Sequence, residues 1–510
     1  MPSDNMRKNI KILSLLSFFG LTILLILAGI KGKVGETLLY QSSDIKNIEI
    51  SGPFESSGST SRYALTEAIV ENNTIILNEQ QAKFAAPDVA KYKGKYFTLF
   101  TPGVSFIGVP FYLLGKIFNM PQIFTFLSSS IFAIINMGLI IYLGRKFGLG
   151  FYASLLSGFL FLFATNALSY SFTFTQHQAS TMIILLGTIN ALGNRNSVNN
   201  IIFGLLYGIG LMIDIPNGLM MIPQVIYILL KHFGIKMHNE KLNIKLKLNY
   251  VTILVGLVPI LFLFGLYNYS LTNSFTKIAQ AVGRTEDFST HAEFVSDSQN
   301  GEESSGYSLD PRGLINGLPI LLVSNQRGLF FYNSVVVFGL ISYILFYRKN
   351  YKKNWLLLIF SIVCVNIVTY SMHLDPYGGW AFGPRYLIPA SALLSVGIGK
   401  FFQENKSFRY YLIPLVICFY GVGVNVLGAM TSTQVPPKVE AVMLLKETPY
   451  TYEYNWQLLG EGKISSLFYN SLFANKFSPE IYVYSYFYIC ILIVLSLILL
   501  IRNEKRILYE

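Results

Sequence analysis

Asp88 is the residue best suited to acid–base chemistry. It stands in Pro87-Asp88-Val89-Ala90-Lys91, just ahead of Tyr92-Lys93-Gly94-Lys95-Tyr96, which reads as a hairpin turn. A Pro102-Gly103 pair then opens an apolar stretch. A carboxylate here could take a proton from an acceptor hydroxyl as a new bond forms. The plainer alternative for one acidic loop residue is a turn or a cap. Arg385 closes the stretch His373-Leu374-Asp375-Pro376-Tyr377-Gly378-Gly379-Trp380-Ala381-Phe382-Gly383-Pro384-Arg385 and begins an apolar segment. A guanidinium there can grip a phosphate with two parallel hydrogen bonds, or it can simply snorkel to the headgroups. The glycines permit close approach of backbone or ligand, and Trp380 suits an interfacial belt. Arg62 lies in Ser61-Arg62-Tyr63-Ala64-Leu65-Thr66-Glu67-Ala68-Ile69, whose apolar spacing fits a short helix capped by Ser59, Thr60 or Ser61. Its alternative is a surface helix with solvated charges. Arg327 precedes another apolar segment. His177 in Gln176-His177-Gln178 and Asp214 before Ile215-Pro216 interrupt apolar runs, where ionisable residues are functional candidates or helix–helix hydrogen-bond formers.

The elements that must position these residues are set by composition. Of 510 residues, 52% are hydrophobic and only 13% charged, with mean hydropathy +0.48; a soluble chain is nearer about 25% charged. The apolar residues come in long blocks without period-two alternation, which selects helices that satisfy their own backbone in lipid and excludes an outer-membrane barrel. A run after Lys11 to about Ile30, with blocks at 121–143, 150–167, 171–191, 199–214, 218–232, 250–270, 332–347, 354–372, 386–402, 410–430 and 481–501, predicts an all-α, multi-spanning protein of about twelve transmembrane helices. The first block, behind Arg7, Lys8 and Lys11, is long for a signal peptide and reads as an uncleaved span. Cys364, Cys418 and Cys490 all sit in apolar stretches without metal or redox spacing and read as packing residues.

The net charge of +12 is distributed in clusters. Arg145-Lys146, Arg195, Lys231 to Lys247, Arg348-Lys349 with Lys352-Lys353, Lys406 with Arg409, and Arg502 with Lys505-Arg506 all fall on one predicted side, as cytoplasmic loops do. That pattern argues against nucleic acid as a partner and predicts cytoplasmic termini in a multi-pass cell-membrane protein. The whole chain, 1–510, reads as one membrane domain. Its long loops, 31–120, 271–331 and 431–480, lie on the external side with a shorter turn at 373–385. The first carries Asp44, Glu49, Glu55, Glu67, Glu71, Glu79 and Asp88. Segments 103–118 and 313–331 are apolar but broken by Gly and Pro, and predict interfacial or re-entrant helices. No P-loop, zinc motif or internal repeat appears.

In their order and sidedness these motifs resemble the integral-membrane glycosyltransferases of the GT-C fold, a group that includes protein O-mannosyltransferases and aminoarabinose transferases. The likeness rests on Ser61-Arg62-Tyr63 with Leu65 and Glu71, on Asp88 through Gly103, on Arg327-Gly328-Leu329-Phe330, and on Gly378 through Tyr386. The resemblance implies a sugar donor on a polyprenyl phosphate or pyrophosphate in the outer leaflet, and an acceptor hydroxyl on a lipid, glycan or protein that attacks with inversion. It implies Asp88 as the base, with Glu55 and Glu67 as alternatives. Arg62, Arg327 and Arg385 would hold the donor phosphate or the loops, and Lys95, Tyr96, His177, Asp375 and Trp380 would line the sugar or acceptor pocket. No resident metal is implied, although a divalent cation could assist. Relatives often carry an acid just before the position of Arg62, where this chain has Ser59, Thr60 and Ser61. They also often carry a lysine near the position of Phe100, where Lys95 is the nearest. A transporter or flippase of lipid-linked saccharides is the alternative, and it would need a polar path through spans that hold few ionisable residues beyond His177 and Asp214.

Overall fold

The computed structural model describes residues 4–32, 50–238, 241–246, 248–285, 287–288, 309–404, 411–443 and 448–509. Asp44, Glu49, Lys406 and Arg409 and all of 289–308 in the second long loop lie outside the described residues. Among those described, the protein is helical, with two small antiparallel hairpins.

Six helices are long and apolar enough to cross a bilayer: Asn9–Gly29 within α1 (Asp4–Gly29), then Pro121–Lys146, Thr252–Thr272, Lys353–Ser371, Leu412–Met430 and Pro479–Glu504. Each falls on an expected span. The other expected blocks form shorter or broken helices. The block 150–167 becomes Phe151–Phe163 followed by irregular chain, 199–214 becomes Ser197–Ile213, and 332–347 becomes Val336–Arg348. The block 218–232 is split into Pro216–Met220 and Ile222–His232, and 386–402 into Ile388–Ser395 and Ile398–Glu404. The protein is a multi-pass membrane protein. Gly103–Ile117 and Gly313–Leu322 are helices, each with an internal proline. The three cysteines are free.

Helix contact is set by small residues. Ser197–Ile213 crosses Thr252–Thr272 where Gly204 faces Gly256. A Cβ on Gly204 would fall 2.0 Å from the Ile253 carbonyl oxygen, and one on Gly256 2.0 Å from that of Ile201. In lipid, where apolar burial drives little association, such backbone contact is the main source of helix–helix dispersion energy. One extensive apolar core then runs through Phe159, Phe163, Leu156, Ile359, Leu393 and Val494.

Two non-spanning pieces of the first loop hold the candidate chemistry. Helix α2 (Ser57–Asn72) packs on α3 (Glu79–Ala85), which starts from a capping box. There the Asn78 side chain accepts from the Gln81 amide and the Gln81 side chain accepts from the Asn78 amide. The predicted hairpin follows as β1 (Val89–Tyr92) and β2 (Lys95–Thr98), with Tyr92 opposite Lys95. Lys93 (φ +49°) and Gly94 (φ +78°) form its turn. Two successive left-handed residues match the twist of a two-residue hairpin, which Gly tolerates at position 94.

Candidate functional site

Arg62 is buried on α2, and each end of its guanidinium is fixed. Nη1 donates to the Gly58 carbonyl at 2.7 Å, Nη2 donates to Gln176 Oε1 at 2.7 Å, and the Phe100 ring lies 3.8 Å beneath the group. The aromatic face thus supports a cation at the position where the resemblance leads one to expect a lysine. Gln176 opens the helix Gln176–Leu192, so Arg62 is tied to that helix's positive N-terminal end. The next residue, His177, is buried. It makes edge contacts with the rings of Tyr170 (4.9 Å) and Tyr386 (6.0 Å).

Arg385 reaches the same place from a different part of the chain. Its guanidinium sits 5.2 Å from the Tyr386 ring, and its Nε is buried with no hydrogen-bond partner among the described residues. Both Arg385 and Arg62 lie within electrostatic reach of the His177 imidazole. Tyr386 stacks flat on Tyr370 at 4.4 Å, and the Tyr370 hydroxyl donates to Asp214 Oδ2 at 3.4 Å. Thr101 ties the start of Gly103–Ile117 to this corner by donating to the Ile213 carbonyl. Gly103 is required there, since a Cβ would lie 2.4 Å from the Met212 carbonyl oxygen. The structure therefore gathers Arg62, His177 and Arg385, together with Asp214, around one buried corner. Two guanidinium groups and a helix N-terminus in a low-dielectric setting favour an anion of phosphate type.

Asp88 stands beside this corner by its backbone. Its carbonyl accepts from Ser61 Oγ at 2.7 Å and from the Leu99 amide at 3.0 Å, and Ser61 is the neighbour of Arg62. The Asp88 side chain is only 5% exposed, and its Oδ1 accepts from Arg284 Nη2 at 2.8 Å. Arg284 is 196 positions away, and nothing in the sequence pairs the two. Around it, the segment after Thr252–Thr272 straps the hairpin. The Thr285 amide donates to the Val89 carbonyl, and Asp287 accepts from both Lys91 (2.5 Å) and Tyr96 (2.7 Å). Lys95 donates to the Ser270 carbonyl at 3.3 Å. The Lys95 ammonium and the Tyr96 hydroxyl thus reach the adjoining helix end and the strap, not Arg62 or Arg385.

The two alternative first-loop acids are engaged differently. Glu55 is buried and accepts from Lys31 (3.0 Å), the Thr433 amide and hydroxyl (both 2.8 Å), Ser432 (2.7 Å) and the Ser51 amide (3.0 Å). Burial pushes its carboxyl up, but the Lys31 charge and the Thr433 and Ser432 hydrogen bonds outweigh that and hold it below the ordinary carboxylate value. Glu67 accepts from Gln81 at 3.1 Å.

Arg327 is fully buried and gives its donors to backbone carbonyls: Tyr377 (2.8 Å), Gly379 (3.0 Å), Val435 (2.9 Å) and its neighbour Gln326 (2.9 Å). It clamps the loop that leads to Arg385. Asp375 shapes the same loop, accepting from the amides of Tyr377 (3.0 Å) and Gly379 (2.5 Å), and Trp380 Nε1 donates to Glu440. Sequence reasoning singled out Gln176 as a polar break in an apolar run and Asp214 as an ionisable candidate at the end of one. It missed Arg284, Tyr170, Tyr370 and the seat of Arg62 on Phe100, all of which depend on packing between distant segments. Among the described residues, no group of three or more His, Cys, Asp or Glu side chains could hold a metal ion.

The helical arrangement is GT-C-like. No protein-family profile matches the sequence, and no match is found among curated proteins. Among solved structures, ArnT from Cupriavidus metallidurans in the apo state is similar over 95% of this chain and 76% of its own, with a TM-score of 0.50 and 13% identity. The Archaeoglobus fulgidus oligosaccharyltransferase in complex with Zn and sulfate is similar over 86% of this chain and 56% of its own, with a TM-score of 0.43 and 12% identity.

Proposed function

We propose that this protein is a membrane glycosyltransferase that moves a sugar from a polyprenyl-phosphate donor to an acceptor hydroxyl on the outer face of the membrane, with inversion. One observation carries the reading. Arg62 and Arg385, from distant parts of the chain, come together beside the N-terminus of Gln176–Leu192, Arg62 through Gln176 and Arg385 through Tyr386 next to His177, and the Arg385 Nε has no hydrogen-bond partner among the described residues. A phosphate monoanion or dianion is the ligand such a corner recognises. ArnT, which shares the fold, has also been solved bound to undecaprenyl phosphate.

In this reading the acceptor oxygen attacks the anomeric carbon, and the bond from that carbon to the donor phosphate oxygen breaks. The bonding pair stays on the phosphate, where Arg62 and Arg385 stabilise the growing charge. The acceptor proton passes to Asp88. Among the first-loop acids, Glu55 is saturated by donors from Lys31, Ser51, Ser432 and Thr433. Asp88 accepts only from Arg284 among the described residues, so one of its oxygens is left to take a proton. Arg327, Asp375 and Trp380 hold the loop that carries Arg385.

The test is transfer from a radiolabelled polyprenyl-phosphate sugar by purified protein, with donor binding measured alongside. Asp88→Asn is expected to lower turnover by about 100-fold or more, the usual contribution of a general base, and to leave donor affinity intact. Full turnover in Asp88→Asn would remove Asp88 from the mechanism. Absence of any donor binding by the unaltered protein would remove the transferase reading itself.

A further inference from the structure

A cavity of about 340 Å³ lies where several helix ends meet, away from the Arg62 and Arg385 corner. Arg145 lines it from the end of Pro121–Lys146, Gly150 and Ala153 from the start of Phe151–Phe163, and Gln403 from Ile398–Glu404. Ile501 and Glu504, at the end of Pro479–Glu504, close it. Pockets for small ligands run from about 300 to 1,000 Å³. The Gln403 side chain is fixed, its Oε1 accepting from the Gly150 amide at 2.9 Å. A Cβ on Gly150 would lie 3.0 Å from Glu504 Oε2 and 3.6 Å from Gln403 Nε2. Both polar ends therefore face the space that the glycine leaves open. Glu504 Oε1 pairs with Lys11 at 3.5 Å, and Arg145 Nη1 donates to the Leu149 carbonyl at 2.6 Å. Leu149, Ala153 and Ile501 are buried and form the apolar wall.

A carboxylate and a guanidinium on one cavity select a ligand that carries both signs. A purely anionic ligand would meet Glu504, and a purely cationic one would meet Arg145 and Lys11. None of the lining residues is aromatic. A quaternary ammonium, which aromatic cages bind, therefore gains little, whereas a primary ammonium brings three N–H donors to a carboxylate. Two spans, Pro121–Lys146 and Pro479–Glu504, end at the cavity, which sets it at the edge of the bilayer. The clustered basic turns make that edge the cytoplasmic one. We propose that this cavity binds the headgroup of phosphatidylethanolamine from the cytoplasmic leaflet. The lipid phosphate takes donors from Arg145 and Gln403 Nε2, and its ammonium donates to Glu504 Oε2. The proposal is independent of the transferase reading.

The test is native mass spectrometry of the full-length protein from mixed micelles. These hold equal amounts of phosphatidylethanolamine, its N-methyl and N,N-dimethyl forms, phosphatidylcholine and phosphatidylglycerol, all with the same acyl chains. The unaltered protein is expected to retain phosphatidylethanolamine several-fold over phosphatidylcholine and phosphatidylglycerol, with retention falling at each added methyl group. Glu504→Gln is expected to bring phosphatidylethanolamine down to the level of phosphatidylglycerol, and Arg145→Gln to weaken both. Gly150→Leu, which fills the cavity, is expected to abolish the preference. Melting temperature and size-exclusion profile establish that each variant is folded. Equal retention of phosphatidylethanolamine and phosphatidylcholine by the unaltered protein would overturn the proposal without any variant. A preference that survives Glu504→Gln would do the same. Preferential retention of phosphatidylglycerol would also overturn it, by marking a simple anion site.

Discussion

Half-buried Arg385 and buried Glu55 show how differently two charges can be employed. The Arg385 Nε has no hydrogen-bond partner among the described residues, whereas both Glu55 oxygens are fully occupied. If Arg385 grips a phosphate through paired donors, Arg385→Lys replaces a planar fork by a point charge. Losing one charge-assisted hydrogen bond predicts donor binding about tenfold weaker or more, with little change in melting temperature. Unchanged affinity by equilibrium binding of undecaprenyl phosphate would assign Arg385 to loop packing. Glu55 belongs to stability instead. Removing one partner of a buried pair costs about 3–5 kcal/mol, so Glu55→Gln is expected to lower the apparent melting temperature sharply at pH 7. The Glu55 carboxyl is held below its ordinary 4.5, so its contribution is complete above about that pH and is lost as pH falls through the depressed folded value. Melting curves between pH 7 and pH 3 should therefore show an acid-labile component in the unaltered protein that Glu55→Gln lacks.

At the scale of elements, the tightest geometric demand is the crossing of Ser197–Ile213 and Thr252–Thr272. Neither Gly204 nor Gly256 has room for a Cβ beside the facing carbonyl oxygen. Gly204→Ala should force the helices apart, costing about 1–3 kcal/mol by overpacking, measurable as a lower melting temperature in detergent. A neutral result would show that the pair relaxes freely. The elements that were legible in the sequence were those with long apolar periodicity or explicit turn chemistry, namely the six long spans and the Tyr92-Lys93-Gly94-Lys95 hairpin. The shorter blocks were legible as apolar but not as broken helices. Breaks such as the one between Met220 and Ile222 depend on what packs beside them, not on local composition alone.

For the whole molecule, the reading requires that Asp88 and Arg385 share one side of the bilayer, opposite the basic turns. Single cysteines introduced at Lys93 and Leu374, both in loops near those residues, are expected to react with a membrane-impermeant maleimide from outside the cell. A cysteine at Lys349 should react only after permeabilisation. Opposite labelling of 93 and 374 would sink the shared site.

The amino-acid sequence by itself determined that the chain is a helical membrane protein and which loops carry carboxylates and guanidinium groups. Hydropathy and charge are local quantities, and lipid and water sort them directly. It also marked Arg62, His177 and Arg385 one by one. Only the tertiary structure decided that these three meet, that Arg284 pairs with Asp88, that Arg327 clamps a loop, and that Glu55 is locked to Lys31 and Thr433. Those outcomes are pairings between segments distant in the chain. A buried charge takes whichever partner the packing of helices brings within about 3 Å, and no local spacing encodes that choice.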